Sequence, residues 1–308
     1  MKKLNILMYF RHFPVAMGHY LKWALEKNGH RVFSVGEFTG DKIPWGEQYR
    51  YPQYTFPPNI VVETYQNDLG AVVHQAEEMG FKPDLIIQMG DIRWLQGDVG
   101  IPQVIIATDP HAIDYREAVR QAALYVTMQK CYEYPEFLDK TLWMPYGYDP
   151  DIHYPEEREN KYDIVFCGLM YDHREKFLNA MHQRGYRVFG KLGVVYDEYR
   201  ERYAEGKMAF NWSSKEDLPA RFWEALAMKK PLLTNITPDM KILEGLEEGK
   251  HYIGFDGLED AIKKARYYLG HPEKLKEIAE AGHEWVKPHT WNARAELLIE
   301  QLYERKIL

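Results

Sequence analysis

The chain has 308 residues, a formal net charge of −7 and a pI near 6.0. That length suits one large or two ordinary domains. The acidic balance excludes a globally basic nucleic-acid binder while leaving room for a local basic cleft. Two cysteines, Cys131 and Cys167, form neither a zinc spacing nor a disulfide framework, so a reducing, cytoplasmic setting is expected. Aromatic residues make up 14%, which suits sugar and base faces as well as cores. No segment is long and apolar enough to span a bilayer as a helix.

In chain order, Asn5 to Phe10 reads as a first buried strand. MKKLNILMYF mimics a signal peptide, but its apolar run is too short and Arg11 and His12 follow at once. The loop RHFPVAMG leads through Gly18 into a helix over His19 to Asn28, Gly29 caps it, and RVFSVG is the second strand. This opening begins a doubly wound domain. Its loop is not GxGxxG, so a dinucleotide fingerprint is absent. Glu37 to Ile60 is rich in proline, glycine, tyrosine and tryptophan and has no period. It is either a loop shaping a ligand cleft over the sheet's C-terminal edge or a packed excursion. Thr64 to Met79 reads as helix, DLIIQMGD and QVIIATD as strands, Ile113 to Ala123 as helix, and LYVTMQ and LWMP as short strands.

MPYGYDPDIHYP clusters proline, glycine and aspartate and is the candidate hinge, from Pro145 to Pro155. A second domain then opens on the strand YDIVFCG, ended by Gly168, with Arg174 near the next helix start. YRVFGK follows as a strand ending in Gly190 and Lys191, then a helix over Asp197 to Glu205. Met208 to Asn235 reads as strand, loop, helix, strand: MAFNW, SSKEDLP, ARFWEALAM, and LLTN after Pro231. Phe222, Leu226 and Trp223 mark its apolar helical face. YIGFD is a last strand, and helices run over Glu259 to Leu269, Pro272 to Val286 and Trp291 to Arg305.

Within Met208 to Asn235, Glu216 and Glu224 stand eight positions apart, one in the loop and one a turn into the helix. With the Ala-Leu-Ala and Pro231 that follow, this E-x7-E resembles the nucleotide-sugar site of GT-B fold glycosyltransferases. The likeness is to the family 4 group and to the spore-maturation type with "glycosyl transferases group 1" domains. M-G-H-Y-L-K-W-A-L-E-K-N-G-H-R-V resembles the first glycine loop of such enzymes, and the hinge their P-x-G-x-D-x-x-x-F/Y stretch. The chain departs at Asp217 and Lys229, where the family often has glycine. A lysine in a left-handed cap costs about 1 kcal/mol, so a different turn is expected there.

The resemblance implies an α/β GT-B architecture with two Rossmann-like, doubly wound domains facing a cleft. Residues 1–150 would form the acceptor domain, with the C-terminal helix 291–308 packed back on it, and residues 151–290 the donor domain. It implies that Glu216 meets the donor sugar and Glu224 holds the ribose hydroxyls. The activity implied is transfer from a nucleoside-diphosphate sugar, a UDP-sugar first, to an acceptor hydroxyl, with retention and without a metal cofactor. A polysaccharide, a lipid carrier, a small metabolite and a modified DNA base remain open as acceptors. An epimerase of the same architecture, or a non-catalytic nucleotide-sugar or nucleic-acid binder, is the alternative.

A parallel second sheet would bring Gly168, Arg174, Gly190, Lys191, Asn211, Ser213, Ser214, Glu216, Arg221 and Glu224 to one crevice at its strand ends. Glycines permit close backbone approach, carboxylates accept hydroxyls, and cations offset a diphosphate leaving group. Each has a plainer reading: solvated glutamates, surface ion pairs, serines capping a helix. In the first half the strand-end candidates are His12, Asp91, Asp109 and His111, beside Gly18 and His19 of the glycine loop. T-D-P-H-A places Asp109 where it would orient His111 as a base or sugar contact. Asp149 and Asp151 are better explained by the hinge than by a metal pair.

Overall fold

The structure, a computed structural model, describes residues 2–63, 67–90 and 93–308. The chain divides into two compact units: unit 1 is Met1–Pro145 with Trp291–Leu308, and unit 2 is Tyr146–Thr290.

Unit 1 is built on β1 (Asn5–Tyr9), α1 (Met17–Lys27), β2 (Arg31–Gly36), β3 (Lys42–Ile43), β4 (Gly46–Arg50), β5 (Ile60–Val61), α2 (Leu69–Glu78), β6 (Leu85–Met89), β7 (Gln103–Ala107), α3 (Arg116–Gln121), β8 (Leu124–Thr127) and β9 (Thr141–Trp143). Seven strands form one parallel sheet in the order β5-β2-β1-β6-β7-β8-β9. β6, β7 and β8 are buried throughout, as unbroken apolar strands of a covered parallel sheet must be. The C-terminal helix, Trp291–Glu304, belongs to this unit. Asn28 Nδ2 donates to Asn292 O at 3.2 Å, and Arg294 Nε donates to Pro145 O at 2.9 Å.

Some elements differ from the sequence reading. Glu37 to Ile60 is not a plain loop, because β3 and β4 pair as an antiparallel hairpin within it. Strands this short, with a register shift between Lys42 and Ile43, leave no alternation to detect. α2 starts at Leu69, where the Asp68 side chain accepts from Ala71 N, and Thr64–Gln66 lie outside the described residues. α3 starts only at Arg116, since Ala112 and Ile113 donate to Asp109 O in a turn.

Unit 2 carries β10 (Tyr162–Cys167), α4 (Asp172–Gln183), β11 (Val188–Lys191), α5 (Tyr196–Ala204), β12 (Gly206–Asn211), α6 (Ala220–Ala227), β13 (Leu232–Asn235), β14 (Ile253–Phe255), α7 (Gly257–Leu269) and α8 (Pro272–Val286). Its five strands are all parallel, in the order β11-β10-β12-β13-β14. Strand order therefore reverses between β10 and β12, and a crevice opens outside the carboxyl ends at such a point. Near the start of this unit Tyr148 N donates to His289 O, and Tyr148 bridges Thr290.

The central helix α6 is buried on every side from Phe222 to Ala227, not amphipathic with a wet face. It ends in a complete left-handed cap despite lacking glycine. Lys229 has φ +56°, its N–H donates to Leu226 O, and Lys230 N donates to Ala225 O. The different turn expected at Lys229 is not formed. The two carbonyls gain partners, and burial of the surrounding helix holds the lysine backbone in place. Lys229→Gly is expected to add about 1 kcal/mol and raise the unfolding midpoint by about 2–4 °C. An unchanged or lower midpoint in calorimetry would refute the strain argument.

Candidate functional site at the strand reversal of unit 2

Two arginines cross the ends of β10 and β12. Arg221, at the start of α6, donates from Nε to Cys167 O and from Nη1 to Asn211 Oδ1, each at 2.9 Å. Arg174, in the first turn of α4, donates from Nε to Trp212 O and from Nη1 to Leu169 O, each at 2.8 Å. Each spends two of the five N–H donors a guanidinium carries. Both guanidinium carbons lie against the Phe166 ring, at 5.1 Å for Arg174 and 4.6 Å for Arg221. Among the described residues neither makes an ion pair with a carboxylate.

Burial, with the Arg221 charge beside it, pulls the Arg174 pKa down to about 10. For Arg221 burial works the same way, but Tyr203, Tyr199 and Glu224 outweigh it and hold its pKa above the ordinary arginine value. Both remain charged at neutral pH. Gly168 is required here: its φ is +147°, and a Cβ would lie 2.2 Å from Arg221 Nη2.

The other strand-end candidates surround this pair. Asn211 is committed to the framework, accepting from Arg221 and donating from Nδ2 to Thr234 Oγ1 at 3.0 Å. Ser213 is buried; its N–H donates to Asn235 Oδ1 at 2.7 Å and its hydroxyl to Asp217 Oδ1 at 2.5 Å. Ser214 is exposed in the same loop. Gly190 lets β11 lie against Leu178 and Met170, and Lys191 is exposed at the strand end. Glu216 is exposed and holds φ +60°, which is uncommon for a non-glycine residue.

Glu224 is not a solvated helix residue. It is 9% exposed, its Oε2 accepts from Tyr199 Oη at 2.6 Å, and His153 Nε2 stands 3.7 Å from Oε1. Burial and the Glu224 charge push the Tyr199 phenol well above its usual range, so it stays a donor. Burial lowers the His153 pKa and keeps the ring neutral.

In unit 1, Asp109 and His111 follow β7. Asp109 is exposed and accepts from Thr108 Oγ1 at 3.0 Å, while His111 Nε2 lies 4.0 Å from Asp109 Oδ1, beyond hydrogen-bond length. Gly18 lets α1 close on Phe10, whose ring would lie 2.2 Å from an added Cβ. His12 and His19 are buried, with His12 stacked on Phe10 at 3.9 Å and His19 on Trp23 at 5.6 Å. Asp91 lies outside the described residues.

Residues 173–300 match the family model described as "Glycosyl transferase-like". Solved structures share the whole fold. Sucrose-phosphate synthase from Thermosynechococcus elongatus is 14% identical with a TM-score of 0.65, covering 99% of each chain. Anabaena HepE in complex with UDP-glucose is 14% identical with a TM-score of 0.65, covering 98% of this chain and 100% of its own. An alpha-glucosyltransferase in complex with UDP and a 13-mer DNA is 12% identical with a TM-score of 0.64, covering 99% and 100%.

The fold is GT-B, and residues 173–300 are similar to a glycosyl transferase-like family.

No curated protein matches the chain in sequence. The matched region begins one residue before Arg174 and contains Arg221, Glu216 and Glu224. Sequence reasoning missed Phe166, Tyr199 and His153 as neighbours of these groups. Phe166 reads as core, Tyr199 as one of many helix tyrosines, and His153 as part of a hinge. Nothing local marks them, since each meets its partner only through the tertiary fold. Among the described residues no helix is long and apolar enough to cross a membrane, and no three histidine, cysteine or acidic side chains converge as a metal site.

Proposed function

We propose that this protein transfers a sugar from a UDP-sugar to an acceptor hydroxyl, with retention and without a metal. The observation that carries the reading is the arginine pair bridging β10 and β12 where strand order reverses. Two charges held there without a carboxylate partner favour a dianionic group, and a nucleoside diphosphate is one. In the reaction the anomeric carbon's bond to the diphosphate oxygen breaks as its bond to the acceptor oxygen forms. The acceptor proton passes to the leaving phosphate, whose growing charge the two guanidiniums stabilise. Glu224 takes the ribose, and Glu216 is assigned to the donor sugar. The small number of cysteines, with no disulfide spacing, favours a cytoplasmic setting.

Incubating several nucleoside-diphosphate sugars with polysaccharide, lipid-carrier, small-metabolite and modified-DNA acceptors, with mass spectrometry of products, tests the reading. Transfer from one donor is expected. Interconversion of the free donor would instead mark an epimerase, and binding without turnover a carrier. Turnover should also survive chelation, because arginines supply the positive charge. Loss of activity in a chelator, restored by a divalent cation, would exclude the metal-free mechanism.

A further inference from the structure

We propose that Tyr199 and His153 are positioning residues that hold the Glu224 carboxylate ready for the ribose hydroxyls, an inference resting on the donor role of Glu224 above. Glu224 sits in a helix whose neighbours from Phe222 to Ala227 are all buried. An ionised carboxylate in such a place is costly without donors. No lysine or arginine forms an ion pair with it among the described residues. Its two nearest partners are neutral, the Tyr199 hydroxyl at 2.6 Å on Oε2 and the His153 ring at 3.7 Å from Oε1, and the Arg221 charge acts on it without forming an ion pair.

Both groups are fixed from behind. Asp149 N–H donates to His153 Nδ1 at 3.3 Å, which leaves the ring proton on Nε2, facing Glu224. The turn carrying His153 is closed by His153 N on Asp149 O at 2.7 Å and by Asp151 N on Asp149 Oδ1 at 2.9 Å. Tyr199 packs edge-on to His153 at 6.0 Å and against Tyr203 at 4.8 Å.

A carboxylate has about four acceptor positions, of which the Tyr199 hydroxyl fills one on Oε2, while the His153 ring, 3.7 Å from Oε1, packs beside the other oxygen without a hydrogen bond. The side chain is still 12% exposed, so the remaining positions are reachable. Two neighbouring hydroxyls on one ring match a carboxylate held this way. A side chain free to rotate would first have to be ordered, at a cost in affinity.

The test is titration calorimetry with UDP and with 2′,3′-dideoxy-UDP on wild type, Glu224→Gln, Tyr199→Phe and His153→Phe. Wild type should prefer UDP by about tenfold or more. Tyr199→Phe and His153→Phe should each lose about three- to tenfold of that preference, with dideoxy-UDP affinity unchanged. Tyr199→Phe removes a single oxygen from a filled space, so it decides the matter if His153→Phe does not fold. If Glu224→Gln abolishes the preference while Tyr199→Phe keeps it in full, the positioning role is overturned and the donor reading stands. If Glu224→Gln keeps the preference, or wild type does not bind UDP, the donor reading itself falls and takes the proposal with it.

Discussion

Arg174→Met is expected to cut affinity for UDP by about 100-fold while leaving affinity for uridine unchanged. The guanidinium is buried, and its bonds to Trp212 O and Leu169 O use two of its five N–H donors. A hydrogen bond to a charged group contributes roughly 1.5–3 kcal/mol, so losing two to a diphosphate amounts to about 3 kcal/mol or more. Every ~1.4 kcal/mol is a factor of ten in affinity. Methionine fills much of the stem's volume but strips the two carbonyls of their donor, so a moderate fall in the thermal midpoint accompanies the loss. Uridine affinity separates the two effects, because a general collapse of the crevice would weaken both ligands. Arg174→Lys should recover little, since one ammonium cannot hold two carbonyls and a phosphate in a planar fork. Equal losses for UDP and uridine, or no loss for either, would remove Arg174 from the diphosphate site.

Acidification is expected to destabilise unit 1 well before its carboxylates titrate. Burial lowers the His12 pKa from 6.5 to about 4 and the His19 pKa from 6.5 to about 3. After burial, the backbone at Val35 and Phe56 raises the His12 value and the Lys22 charge lowers it, while at His19 the His12 and Lys22 charges lower it and the backbone at Phe13 raises it. The two rings lie 5.2 Å apart, so protonating one opposes protonating the other. Below pH 6.5 the unfolded chain binds protons that the folded chain refuses. Stability is therefore fully present above the unfolded value and falls as pH drops through 6.5, with the loss continuing to about pH 4 for His12 and about pH 3 for His19. At pH 5 the combined loss is on the order of 4 kcal/mol, or a midpoint lower by about 10 °C. A double variant, His12→Phe with His19→Phe, should have a flatter midpoint between pH 7.5 and 5 than wild type. Identical slopes would show that these histidines do not couple folding to pH.

Much of the fold was legible because its signals are local. Unbroken apolar runs such as Leu85–Met89 and Gln103–Ala107 belong to a covered parallel sheet, and turn residues punctuate them. Pro272–Val286 coincides with the helix read from sequence, since proline opens it and its apolar period is strong. The hairpin inside Glu37–Ile60 was not legible, because two-residue strands carry no period. Nor was the left-handed cap at Lys229, where packing of α6 overrides a local preference for glycine.

For the site, spacing alone places Glu216, Arg221 and Glu224 in one strand-loop-helix unit, because neighbours along a chain stay neighbours in any fold. It also set Arg174 near a helix start and Gly168 at a strand end. Which of these meet depends on packing between elements far apart along the chain. Pairing of β10 with β12 brings Cys167, Leu169, Asn211 and Trp212 within reach of two guanidiniums that share the Phe166 ring. Burial of α6, with α5 and the 149–153 turn beside it, sets Glu224 against Tyr199 and His153. Spacing constrains a residue's direction along its own element, whereas charge, burial and hydrogen-bond partners depend on what other elements bring to it.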